Sequence, residues 1–192
     1  MTPAHLSKLT AYAGFACALL LTFNVVRRAG VLPDNGLTHA VAPFAVLAGL
    51  FAVTGLYRLI RPSAGALGLV GYVLNAAGLA GAFAIEYTLH FVFPHLSPGV
   101  RDGLLAGGTG AAFMVTAVVL IAGVLTFAAA ALRSRALPAG AVVLYAVGMV
   151  PGALRSAVPV PVYLGGLVLA AAGVAWMAWH ARGTAEKAPQ PS

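Results

Sequence analysis

Glu86 and His90 stand four residues apart and would share one face of a helix. Such a pair could act as general base and acid, or hold and pass a proton. With His39 or His95 it could also offer imidazoles to a metal or a haem iron. No His-x-x-x-His pattern or carboxylate cluster of ligand spacing accompanies these residues. Cys17, the only cysteine, excludes an intramolecular disulfide and a thiolate cluster. The alternative is structural: Glu86 pairs with Arg27 or Arg28 while the histidines rest at a membrane surface, as charged and amphipathic side chains at the ends of apolar segments do. The sequence favours that alternative and identifies no catalytic residue, metal site or cofactor.

The elements that must position these groups are apolar runs. The chain of 192 residues is 61% hydrophobic and 8% charged, with a mean hydropathy of +0.96. Soluble domains carry about a quarter charged residues, so the expected class is an all-α polytopic transmembrane bundle. Six spans are read at 9–26, 40–57, 66–93, 104–132, 137–154 and 158–179. The fifth is the weakest, since Gly140, Gly148, Pro151 and Gly152 lie within it and Pro159 and Pro161 follow; a kinked or re-entrant segment is the alternative. Lys8 and the apolar run after it resemble a signal peptide. That run reaches Arg27 and Arg28 without a small-residue cleavage pattern, so a retained first helix is expected. Residues 183–192 have little to bury and are expected to be a disordered tail.

Loop charge sets the expected orientation. Lys8, Arg58, Arg61, Arg133, Arg135, Arg182 and Lys187 fall on one side and Arg27, Arg28, Arg101 and Arg155 on the other, seven against four. Both termini are therefore expected in the cytoplasm, with residues 1–8 as a cytoplasmic N-terminus and the bundle in the cytoplasmic (inner) membrane. The net charge of +7 is spread between apolar runs, which fits an anionic lipid surface and excludes a nucleic-acid footprint.

Asn24, Arg27 and Arg28 then close the first helix, His39 opens the second, and Glu86, His90 and His95 close the third, all at the outer end; Asp34 lies in the loop between the first two. Glu86 is about 30 Å along the third span and so interfacial, whereas Asn75, about 13 Å in, suits an interhelical hydrogen bond. Arg155 and His180 read as interfacial residues, and Tyr57, Tyr163, Trp176 and Trp179 as anchors at the headgroup level. Gly65, Gly68, Gly71, Gly78 and Gly81, with Gly165, Gly166 and Gly173, mark candidate helix-contact faces, within the chain or in a homo-oligomer or with a membrane partner.

The stretch from Arg133 through Leu137-Pro138 and the Gly-rich fifth span, ending in Gly173-Val-Ala-Trp-Met-Ala-Trp-His, resembles small bacterial polytopic membrane proteins of about this length that have no assigned activity. The resemblance covers the last third of the chain, implies a compact helical bundle, and transfers no functional residue. The leading expectation is a non-catalytic bundle that moves a solute or serves as an accessory or regulatory subunit, with membrane lipid as its surroundings. The alternative is a His-ligated haem or metal protein with its site at the outer end.

Overall fold

The computed structural model describes residues 3–33 and 35–186. Asp34 and residues 187–192, including most of the expected tail, lie outside the described residues. The regular structure of the described residues is all helical: α1 (Pro3–Arg28), α2 (Gly36–Tyr87), a π-helical turn (Thr88–Val92), a 3-10 turn (Phe93–His95), α3 (Pro98–Ala106), α4 (Gly108–Ser134), α5 (Ala139–Ala153) and α6 (Val160–Glu186). Four segments are long and apolar enough to cross a membrane, by length and composition: His5–Arg28, Thr38–His95, Gly108–Ser134 and Val160–Thr184.

The second and third expected spans are joined in α2 without a loop. Gly65 takes φ 56° and ψ −155°, a conformation open essentially to glycine alone, and there the helix folds back on itself. The rings of Tyr57 and Tyr72 stack at 4.5 Å across the two arms. The hydroxyls of Thr54 and Tyr72 lie 3.4 Å apart. A straight helix would separate residues 57 and 72 by about 22 Å.

Glycines set the helix contacts. A Cβ on Gly71 would meet the backbone of Phe127, one on Gly78 that of Leu120, and one on Gly123 that of Asn75. The second arm of α2 therefore lies antiparallel on α4 at backbone distance. Gly148 and Gly173 likewise meet the α6 and α5 backbones at Ala170 and Tyr145, and Gly14 meets Ala178 between α1 and α6. Phe127, Val124, Ile60 and Val142 fill the interior and are fully buried.

In three places the helices depart from the expected span limits. The fourth span does not begin at residue 104: Leu104, Leu105 and Ala106 belong to α3, and the chain breaks at Gly107 before α4 starts at Gly108. α6 runs past residue 179 to Glu186; no proline interrupts His180 to Glu186, and Gly183 is carried within the helix. The fifth, α5, has 15 residues, about 22 Å of rise against a hydrocarbon core of about 30 Å.

Gly65→Ala should lower the unfolding free energy by about 1–3 kcal/mol, read as a fall in the detergent melting temperature. Gly165→Ala, inside α6 where a Cβ meets nothing within 4 Å, should not lower it and should raise it by up to about 1 kcal/mol.

Candidate functional site

Each polar side chain at the Glu86 end is placed by a local device. Asn35 and Thr38 form a capping box, with the Thr38 amide donating to Asn35 Oδ1 at 3.0 Å and the Asn35 amide to Thr38 Oγ1 at 3.0 Å. This starts α2 so that His39 lies on its first turn. Arg27 and Arg28 occupy the last turn of α1, where cations complement the helix dipole, and Gly30 with φ 79° turns the chain away. Pro94 lacks an amide proton and its ring crowds the carbonyl four residues back, so the α-helical ladder cannot continue through it. The helix widens: the Phe93 amide bonds to the Thr88 carbonyl, five residues back, and His90 sits in the middle of this π turn.

Glu86 is the hub. Its Oε1 accepts from Arg155 Nη1 at 2.7 Å. Its Oε2 lies 3.1 Å from His90 Nε2 and 3.9 Å from Arg28 Nη2. His90 Nδ1 is 2.8 Å from His39 Nδ1. The carboxylate can only accept, so a neutral His90 carries its proton on Nε2 and accepts at Nδ1 from His39. Arg28 also lies over the ring of Tyr163, 5.4 Å from its centroid. Asn24 Oδ1 accepts from Arg27 Nη2 at 3.1 Å, and both residues are buried.

Of the residues singled out in the sequence, the structure gathers Asn24, Arg27, Arg28, His39, Glu86 and His90 at one end. His95 is exposed on the 3-10 turn, outside these contacts. Asn75 belongs to a different place: fully buried, it donates through Nδ2 to the Tyr145 hydroxyl at 2.9 Å and accepts that hydroxyl's proton at Oδ1, 3.1 Å away. This ties α2 to α5 across the bundle. Among the described residues no three His, Cys, Asp or Glu side chains come together as a metal-binding set. His39 and His90 are engaged with one another through Nδ1 of each ring.

Two residues read only as interfacial or anchoring, Arg155 and Tyr163, belong to this network. Arg155 was hidden because α5 is short. Its connection to α6 begins at Leu154, and Arg155 there makes the shortest contact to Glu86. The crowding of Pro151, Gly152, Pro159 and Pro161 was the available signal.

Beneath Glu86 lies a cavity of about 100 Å³ in the bundle centre. Asn24, Glu86 and Tyr163 border it at the charged end; Leu21, Val53, Leu79, Leu120, Met149 and Leu167 are among its apolar walls, and Cys17 also lines it. A second, open groove of about 440 Å³ runs from Glu86 and Arg155 between α2, α4 and the α5–α6 connection, with Leu89, Leu105, Phe113 and Met114 along it. The guanidinium groups of Arg28 and Arg155 both face the Glu86 carboxylate, and this charged cluster adjoins the mostly apolar chamber through Glu86.

These features define, among the described residues, an all-helical protein with four long apolar helices and a charged cluster bordering a central, mostly apolar cavity. No protein-family model matches the chain, and neither the curated proteins nor the solved structures give a match.

Tyr145→Phe should cost about 1–3 kcal/mol in unfolding free energy, because it leaves the Asn75 amide buried without its partner. Chemical unfolding in mixed micelles measures it.

Proposed function

We propose that this chain is a six-pass bundle of the cytoplasmic membrane that moves a small solute through its central cavity, with the Glu86 network as the gate. The membrane reading is supported by large apolar side chains facing outward along the middle of the helices: Leu19, Phe51, Val73, Val118, Val147 and Val168 are each at least half exposed. Such a surface is costly in water and matched to lipid. On this reading α5 completes its passage with the connection at Arg155, and α3 lies at the headgroup level with Val100, Leu104 and Leu105 exposed toward lipid.

The observation that carries the transport reading is the continuity of the charged cluster with the cavity through Glu86, Asn24 and Tyr163. An accessory subunit has no need of an interior chamber closed by ion pairs. A purely structural Glu86 accounts for the pairs but not for the chamber below them. The His-ligated haem or metal alternative is not favoured, since His39 and His90 bond to each other and His95 does not join them.

Cys17, the only thiol, lines the cavity and is 4% exposed. In proteoliposomes it should react slowly but completely with a small methanethiosulfonate reagent. Glu86→Gln, which removes the charge that holds Arg28 and Arg155, should speed the reaction about tenfold, the factor given by about 1.4 kcal/mol. A thiol that stays inert in both proteins until they are denatured would refute the gate.

Orientation is tested with Ser63→Cys, Ser97→Cys and Ser134→Cys in a Cys17→Ala background. An impermeant maleimide applied to intact cells should label only Ser97→Cys; labelling of the other two in its place would invert the topology.

A further inference from the structure

The open groove beside Glu86 is polar at one end and apolar along the rest of its depth, which is the build of an amphiphile. Resting on the membrane reading above, though not on transport, we infer that the groove holds one anionic phospholipid, its phosphate on Arg155 and Ser156 and one acyl chain lying in the seam between α2 and α4.

Depth and lining fit an acyl chain. On α4 the groove reaches from Gly110 to Leu120, about 15 Å of helix. A hydrocarbon core is about 30 Å thick, so the groove is about as deep as one leaflet. The second arm of α2 lines the same depth in the opposite sense, from Leu89 to Ala82. The volume of about 440 Å³ is about three times that of a cavity that admits benzene. The polar side chains lining it are Glu86, Thr116, Arg155 and Ser156. Thr116 turns its hydroxyl to the Ala112 carbonyl at 2.9 Å, so what remains along the depth is hydrocarbon.

The other end suits a head group. Residues 154–157 line the groove there as turns that follow the end of α5, and acyl chains cannot solvate such backbone. Arg155 is 29% exposed and spends Nη1 on Glu86. Its Nε and Nη2 make no other hydrogen bond among the described residues, and that edge of a guanidinium can give two parallel bonds to a phosphate. Ser156, exposed beside it, adds a hydroxyl. Among the described residues Glu86 is the only acid lining the groove. Both its oxygens are engaged, Oε1 with Arg155 and Oε2 with His90 and Arg28. The ammonium of a zwitterionic head group therefore finds no carboxylate to accept it, whereas the phosphate of an anionic lipid finds the guanidinium.

Quenching by brominated lipid reads this site directly. The full chain with Trp176→Phe and Trp179→Phe has no tryptophan left. Phe113→Trp then places a reporter in the groove, and Val168→Trp places one on α6, half exposed and outside it. Both proteins are reconstituted in vesicles of phosphatidylcholine and phosphatidylglycerol, with one lipid or the other brominated. Phosphatidylglycerol should quench Phe113→Trp with about tenfold preference over phosphatidylcholine and Val168→Trp with none. Arg155→Gln should abolish the preference and Arg155→Lys should recover part of it, while unchanged quenching at Val168→Trp shows that each variant is still inserted. An equal preference at both reporters, or one that survives Arg155→Gln, would overturn the site. Quenching of Phe113→Trp by both lipids alike would overturn the anionic assignment. If Val168→Trp alone is quenched, the lipid site falls and the membrane reading stands; if neither reporter is quenched by either lipid, both fall.

Discussion

One carboxylate holds together segments that the sequence keeps far apart. Glu86 reaches Arg28 at the end of α1, His90 on the π turn and Arg155 after α5, and through His90 it reaches the first turn of α2. Partly buried ion pairs of this kind give little net stability, since desolvation offsets most of the attraction. Their value lies in specificity of position. The glycine contacts set how closely the helices approach, and the carboxylate ties the ends of α1, α2 and the α5–α6 connection together at one end.

The rest of the bundle is built so that this meeting is possible. Backbone contacts at Gly71, Gly78 and Gly123 bring α2 against α4, and those at Gly148 and Gly173 bring α5 against α6. The Asn75–Tyr145 pair fixes α2 relative to α5 deeper in the bundle. With the walls set at that depth and the charged groups closing one end, the larger side chains between them do not fill the centre completely, and a chamber remains.

Much of this was legible in the residues. The apolar runs and their polar breaks mark the helices, and the four-residue spacing of Glu86 and His90 marks their contact. The convergence of Asn24, Arg27, Arg28, His39, Glu86 and His90 follows from alternating helix direction alone. What was not legible depends on geometry that residue type does not carry. Arg155 is one of four arginines assigned to that side, and nothing local distinguishes it; its reach comes from the shortness of α5. Residues 104–106 are apolar and read as belonging to the fourth span, yet Gly107 and Gly108 permit a break there. His90 meets Glu86 by helical spacing, but its contact with His39 joins the two ends of a folded-back helix and is made from a π turn ahead of Pro94, neither of which residue spacing reveals. Gly65 could be read as a packing glycine, and its positive φ is what makes it a turn.

The single-residue turn at Gly65 makes α2 mechanically a pair of tongs. Each arm extends over about 30–40 Å from the pivot to its tip, and the tips carry His39 on one side and Glu86 with His90 on the other. A rotation of about 5° at the pivot would displace the tips by about 3 Å, enough to separate the imidazoles of His39 and His90, now 2.8 Å apart. The leverage concentrates a small backbone change at one end of the molecule into opening or closing at the other. No intervening loop provides slack to absorb it.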